Sequence, residues 1–299
     1  MKDQNQLETA AMCNIELSLI YKDLEDTLSE RECMLEAAKC FEGGHRENNG
    51  SYIPTENGLL PQLEQSYVKI AEMTLRDKCL KNIGVVLVQL ATTLMEFQQY
   101  LVAYEYLFKA TKYLTAEFYF RLMIFEKCIV CLEHSEDLAS DLMDLTSMYS
   151  KYIRNERLNG VVKDRMVTVE LKLVLLHLKQ YSEDWEMRPR SFLANYSTYI
   201  EHTTVMTKAE HGVVSEFIEA FVRRDYLKLC YMMHSELWDK LDDHGRKLMN
   251  TTIQKTAPST GILNEELVIT EVDELDRRKK MIEWHKSVKR SHVASYQHI

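Results

Sequence analysis

Residues 83–113 constrain this chain more than any other stretch, because apolar residues recur there at helical spacing twice in succession. Ile83, Val86, Leu87, Leu90, Leu94 and Phe97 follow three- and four-residue steps, so they fall on one face of a 3.6-residue period. Ala103, Leu107 and Ala110 repeat the pattern, with Tyr100, Tyr104 and Tyr106 widening the apolar stripe. The break between them, Glu96-Phe97-Gln98-Gln99, has room only for a tight turn between helices. Two antiparallel helices are expected. Such a pair has a second face that neighbouring helices must cover.

Set against the tetratricopeptide pattern, Leu87, Leu90, Ala91, Leu94, Ala103, Leu107 and Ala110 take its large and small positions in order. The small residues matter because two helix backbones approach closely at Ala91, Ala103 and Ala110. The pattern's usual Trp, Gly and Pro are missing, so an ordinary helical hairpin is the competing reading. Composition extends the helical expectation to the whole chain. Only 9 Gly and 4 Pro occur in 299 residues, too few for the turns of a many-stranded sheet, and 45% hydrophobic content supports a sizeable core. The fold class expected is all-α.

Apolar periodicity predicts further helices before and after this hairpin. One pair runs over 7–21 and 33–41, with Ser29 and Glu32 as a capping box and Gly43-Gly44 as the stop. A polar loop is expected over 45–61, then helices over 63–77, 116–134 and 138–153. The 116–134 segment carries Phe118, Phe120, Leu122, Ile124, Phe125, Ile129 and Leu132 all round, which implies burial between layers. Residues 161–180 alternate like a strand at Val167, Val169, Leu171, Leu173 and Leu175. Val174, Leu176 and Leu178 fill the other face, and length decides for a buried helix. Arg188-Pro189 opens a helix with Leu193, Tyr196 and Ile200, and three more follow over 213–222, 226–238 and 245–255. The expected organisation is a helical repeat domain over 1–261, with a soft boundary at 154–159, and a charged, mobile tail over 262–299. That tail holds Leu267, Val268, Ile269 and the basic run Arg277-Arg278-Lys279-Lys280.

A formal charge of -9 argues against a nucleic-acid binder, since neutralising phosphates needs a basic surface, and it favours basic protein partners. No run reaches the roughly 20 apolar residues of a membrane span, so no membrane insertion is expected. No signal pattern precedes the first helix. Seven scattered cysteines match the usage of a reducing compartment, so the expected location is cytoplasmic, with the nucleus left open. Asn195-Tyr-Ser197 and Asn250-Thr-Thr252 then match the glycosylation pattern by chance.

Chemistry-bearing patterns are sparse. Cys128-Ile-Val-Cys131 has the spacing of half a zinc or redox site, but no second pair or spaced histidines complete it, so both read as core residues. His177 reads as a satisfied core histidine, and His134, His202 and His234 as helix-end or surface residues. No phosphate-cradling glycine loop or nucleophile elbow is present, so no catalytic residues, cofactor or metal are expected. The candidate partner-binding residues are Glu236, Trp238, Asp239, Asp242 and Asp243, with Glu216, Glu219 and Asp225 upstream. A Trp near a helix end either packs into the terminal cap or anchors an interface, and flanking acids would meet a basic face.

Several stretches together resemble the forty-kilodalton huntingtin-associated protein family. They are Leu7, Ala10, Ala11 and Cys13 with Glu36-Ala37-Ala38 and Phe41; the hairpin from Leu87 to Ala110; Val169-Glu170-Leu171 through Leu178-Lys179-Gln180; and Glu236-Leu237-Trp238, Leu241, Leu248, Gln254, Thr256 and Pro258-Ser259 through Gly261. The matches fall in family order. The proline-rich insertion of vertebrate members is replaced by Arg154 to Asn159, the N-terminal extension is shorter, and the tail has no counterpart. The resemblance implies an α-solenoid that is a stable partner subunit of huntingtin, a HEAT-repeat scaffold, linked to the early endosome through a Rab-type GTPase. The alternative is a general tetratricopeptide adaptor of the vesicle-fusion attachment-protein type.

Overall fold

The computed structural model describes residues 2–49, 59–78, 80–114, 118–134, 139–154, 160–181 and 205–257. The helix expected after Pro189, His202, the Asn195 acceptor site and the tail over 262–299 lie outside the described residues. The chain divides into two compact units, Met1–Thr256 and Ala257–Ile299. Among the described residues of the first, every regular element is helical: α1 (Lys2–Asp23), α2 (Thr27–Asn49), α3 (Leu59–Arg76), α4 (Leu80–Glu96), α5 (Tyr100–Thr111), α6 (Phe118–Glu133), α7 (Ala139–Arg154), α8 (Gly160–Tyr181), α9 (Lys208–Val222), α10 (Tyr226–Met232) and α11 (Asp243–Gln254), with a 3-10 turn at Trp238–Lys240. None of these helices is long and apolar enough to cross a membrane.

From α1 to α6 each helix packs on the next in sequence. The tight turns share one device, a single non-glycine residue in the left-handed region: Glu25 after α1 (φ 60°), Lys78 after α3 (φ 57°), Gln98 after α4 (φ 61°) and Arg224 after α9 (φ 56°). The following N–H reaches back to the helix it leaves, as in Asp26 to the Tyr21 carbonyl (3.0 Å), Gln99 to Leu94 (2.9 Å) and Asp225 to Ala220 (3.0 Å). Glycine normally fills this position, so a glycine-poor sequence hides these helix ends. The turns reverse the chain sharply. The α1–α2 and α3–α4 connections lie at one end, as the ion pairs Arg31 to Asp77 (3.2 Å) and Arg76 to Glu30 (3.0 Å) show.

The α4–α5 pair has the expected inner face. Leu90, Ala91, Ala103, Leu107 and Ala110 are fully buried, and Tyr104 is buried with its hydroxyl donating to the Asp141 carbonyl (2.9 Å). Closest approach comes at a residue the periodicity does not mark. A Cβ on Gly84 would lie 2.4 Å from Leu114 Cγ, so the return of the chain after α5 needs hydrogen there. Gly84→Ala gains helix propensity but forces Leu114 aside, and a net loss of about 1 to 2 kcal/mol is expected in urea denaturation. A gain in stability would mean Leu114 repacks freely.

Several boundaries depart from expectation. Asp26, not Ser29, caps α2: its carboxylate accepts from the Ser29 N–H (3.2 Å) and hydroxyl (2.7 Å). Gly43 and Gly44 do not stop that helix, which runs on to Asn49. Gly44 serves close approach, since a Cβ there would lie 3.0 Å from the Leu59 side chain, whereas one on Gly43 would make an ordinary contact with Leu7 at 3.5 Å. The loop expected over 45–61 therefore yields at both ends, with His45 buried edge-on against Phe97 (4.2 Å) and Pro61 inside the first turn of α3. The segment expected as one helix over 226–238 ends at Met232, and Trp238 opens the 3-10 turn instead.

The later part is organised by α8. Thirteen of its residues, from Val162 and Met166–Val167 through the run Val169–Leu178, are buried. It is helical, as length predicts, and it packs on α6, α7 and α11 and on the 3-10 turn.

Candidate functional site

The residues the sequence nominates sit where the C-terminal helices meet α8. A cleft of about 790 Å³ opens there, lined by α6 (Met123, Glu126, Lys127, Val130), α8 (Asp164, Arg165, Thr168, Lys172) and the C-terminal segment (Lys240, Leu241, Asp242, His244). Most of its charges are already matched. Arg165 holds Glu126 through two bonds, Nε to Oε1 at 2.8 Å and a second nitrogen to Oε2 at 2.6 Å. Lys240 reaches Asp164 (3.0 Å) and Glu210 (2.7 Å), and its carbonyl accepts from Thr168 (2.8 Å). Lys172, buried in α8, reaches out to Asp242 (2.6 Å). His244 contacts Glu133, which also faces Lys179. The arrangement is a polar clamp that ties the C-terminal helices to the apolar α8.

The local sequence explains each part of the clamp. Thr207 and Glu210 form a capping box at the start of α9, and Lys240 adds an ion pair. Burial raises the Glu210 carboxyl, but the Lys240 pair and the Thr207 backbone and hydroxyl bonds outweigh it, leaving the group at about 2. Asp242 caps α11 by accepting from the Gly245 N–H (2.8 Å). Burial raises it too, and the Lys172 and Gly245 hydrogen bonds bring it below the usual carboxylate range.

The five nominated residues therefore separate. Trp238 is buried, its ring centroid 4.7 Å from that of Phe217, so it takes the packed alternative in this fold. Asp242 is held by Lys172 and by its own helix. Glu236, Asp239 and Asp243 are exposed and make no ion pair among the described residues. Upstream acids are largely used locally: Glu216 pairs with Lys228 (2.8 Å), Glu219 with Arg223 (2.5 Å), and Asp225 caps α10 through the Lys228 N–H (3.1 Å).

Cys128 and Cys131 are fully buried on α6; burial raises the Cys128 thiol well above the ordinary value, with its neighbour adding, and Cys131 to about 12. Both stay protonated and act as core side chains. His177 is buried with Nε2 3.0 Å from Thr146 Oγ1. His134 is exposed and stacks on Tyr100 at 4.2 Å. Among the described residues no group of three or more His, Cys, Asp or Glu could hold a metal ion.

A second surface was not nominated by the sequence. Beside three of the helix-to-helix connections a pair of large apolar side chains is exposed: Leu24 and Leu28 between α1 and α2, Leu75 and Leu80 between α3 and α4, and Tyr119 and Phe120 at the start of α6. The last pair corrects the expectation that α6 is buried all round, since its first turn projects outward. Exposed and buried apolar residues have the same spacing in a two-faced helix. Only the position of the turns distinguishes them.

Compared with known proteins, the chain matches no protein-family profile and no curated protein.

Proposed function

We propose that this chain is a non-enzymatic interaction protein, a tetratricopeptide-like helical-hairpin solenoid held as a stable subunit by a huntingtin homologue. Its work is early-endosome trafficking, with a Rab-type GTPase as the recruiting partner. The apolar rim carries the subunit reading. Leu24, Leu28, Leu75, Leu80, Tyr119 and Phe120 are exposed beside alternate helix-to-helix connections, and grouped exposed apolar side chains mark interaction surfaces. A general adaptor that works free in solution would gain by polar residues at those positions. The ordered sequence resemblance supplies the kind of scaffold.

The test is affinity purification of the tagged full chain from its native cells. A huntingtin homologue is expected in near-equal amount, and recovery as a lone monomer from cells that contain such a homologue would refute the assignment. The exposed acids give a second, separate measurement. Reversing Glu236, Asp239 and Asp243 to Lys, while leaving Trp238 and Asp242 to the fold, is expected to slow association about tenfold at low salt and to matter less at high salt. An unchanged association rate would mean that these acids face only water.

A further inference from the structure

We infer that the outward face of α1 is a docking strip for a basic amphipathic helix of the partner, an inference that rests on the subunit reading and names the chemistry it requires. The inner half of α1 is held against α2, with Ala11 and Ser18 buried and Ile15 packed on the core. Its outer half should be polar if water were its permanent neighbour. Instead Met12, Leu17, Leu19, Ile20 and Leu24 lie outward, between 43% and 67% exposed.

Charge on the same face selects the occupant. With a 3.6-residue period, Glu16 and Asp23 fall on one line along the helix, with Met12 and Leu19 to one side and Ile20 and Leu24 to the other. Glu8, and Glu25 and Asp26 in the following turn, extend the acidic character, and Lys22 is the only exposed cation among the described residues of this stretch. Glu8, Glu16, Asp23 and Glu25 make no ion pair among the described residues. A second copy packed antiparallel would set this acidic line against itself, which like charges oppose. A helix with Lys or Arg set seven residues apart inside an apolar stripe satisfies both features, by the helix-in-groove mode of recognition.

The probe is a pair of synthetic helical peptides with one apolar stripe, interrupted at seven-residue spacing by Lys in one and Glu in the other. Binding to the full chain is followed by fluorescence anisotropy. The Lys peptide is expected to bind at least about tenfold more tightly, less so in high salt, and to protect Cys13, which lies exposed on this face, from alkylation. Ile20→Ser with Leu24→Ser should remove that binding without loss of helix content, since both side chains are exposed. Glu16→Lys with Asp23→Lys should transfer the preference to the Glu peptide. Equal binding of the two peptides, or unchanged binding by the Ser variant, overturns the inference. So does a concentration-dependent dimer that the Ser substitutions abolish, because the occupant is then a second copy. The subunit reading fails separately. If the Lys peptide docks on α1 but no huntingtin homologue co-purifies, that reading falls and the strip stands; if the homologue co-purifies equally with wild type and Ser variant, the strip falls and the reading stands.

Discussion

Trp238→Ala is expected to lower the free energy of unfolding by about 3 to 5 kcal/mol, the range for removing a large aromatic from a packed core. Trp238 is among the largest fully enclosed side chains, set against Phe217 of α9 at the 3-10 turn that feeds α11. Truncation opens a cavity where α9 meets the 3-10 turn. Trp238→Phe is expected to cost much less, because it keeps most of the apolar volume and removes an indole N–H that is buried with no hydrogen-bond partner among the described residues. Urea denaturation of the two variants checks both values. If Trp238→Ala loses less than about 1 kcal/mol yet abolishes complex formation, the side chain is an interface anchor after all.

The same region shows what a sequence of this kind makes legible. The α4–α5 pair is readable because its information is local: spacing gives the face, small residues give the approach, and a short polar break gives the turn. Helix α8 is readable as buried from its leucines and valines. Two charged residues inside that apolar run, Glu170 and Lys172, are the signal that sequence reasoning passed over. Both are buried, Glu170 accepting from the Val205 N–H (2.8 Å) and Lys172 holding Asp242, partners 35 and 70 residues away. A buried charge needs a partner to offset its desolvation, so each announces a long-range contact without saying to what. Gly43 and Gly44 misdirect for a related reason. Glycine can end a helix or let another chain segment come close, and only the neighbour decides which.

The acid response of the fold should be dominated by His177. It lies in α8 at 5% exposure, and burial lowers its pKa from the ordinary 6.5 to about 4. Since the folded value is depressed, stability from keeping this ring neutral is fully present above the unfolded value and is lost as pH falls through the window between 6.5 and 4. Over the whole window the shift corresponds to about 3 kcal/mol, of which about 2 is expected to be lost between pH 7 and pH 5. His45, lowered in the same direction by burial, adds to the slope. The clamp carboxylates act lower: Asp242 and Glu210 are depressed from 3.8 and 4.5, so their contributions hold above those values and fade only as pH drops further. Urea midpoints at pH 7 and pH 5 therefore isolate the histidines. His177→Leu is expected to flatten most of that difference, at some cost at pH 7 from the lost contact with Thr146. A variant that keeps the full wild-type difference would assign the acid response to other groups and would mean that α8 admits water or repacks around a charged ring.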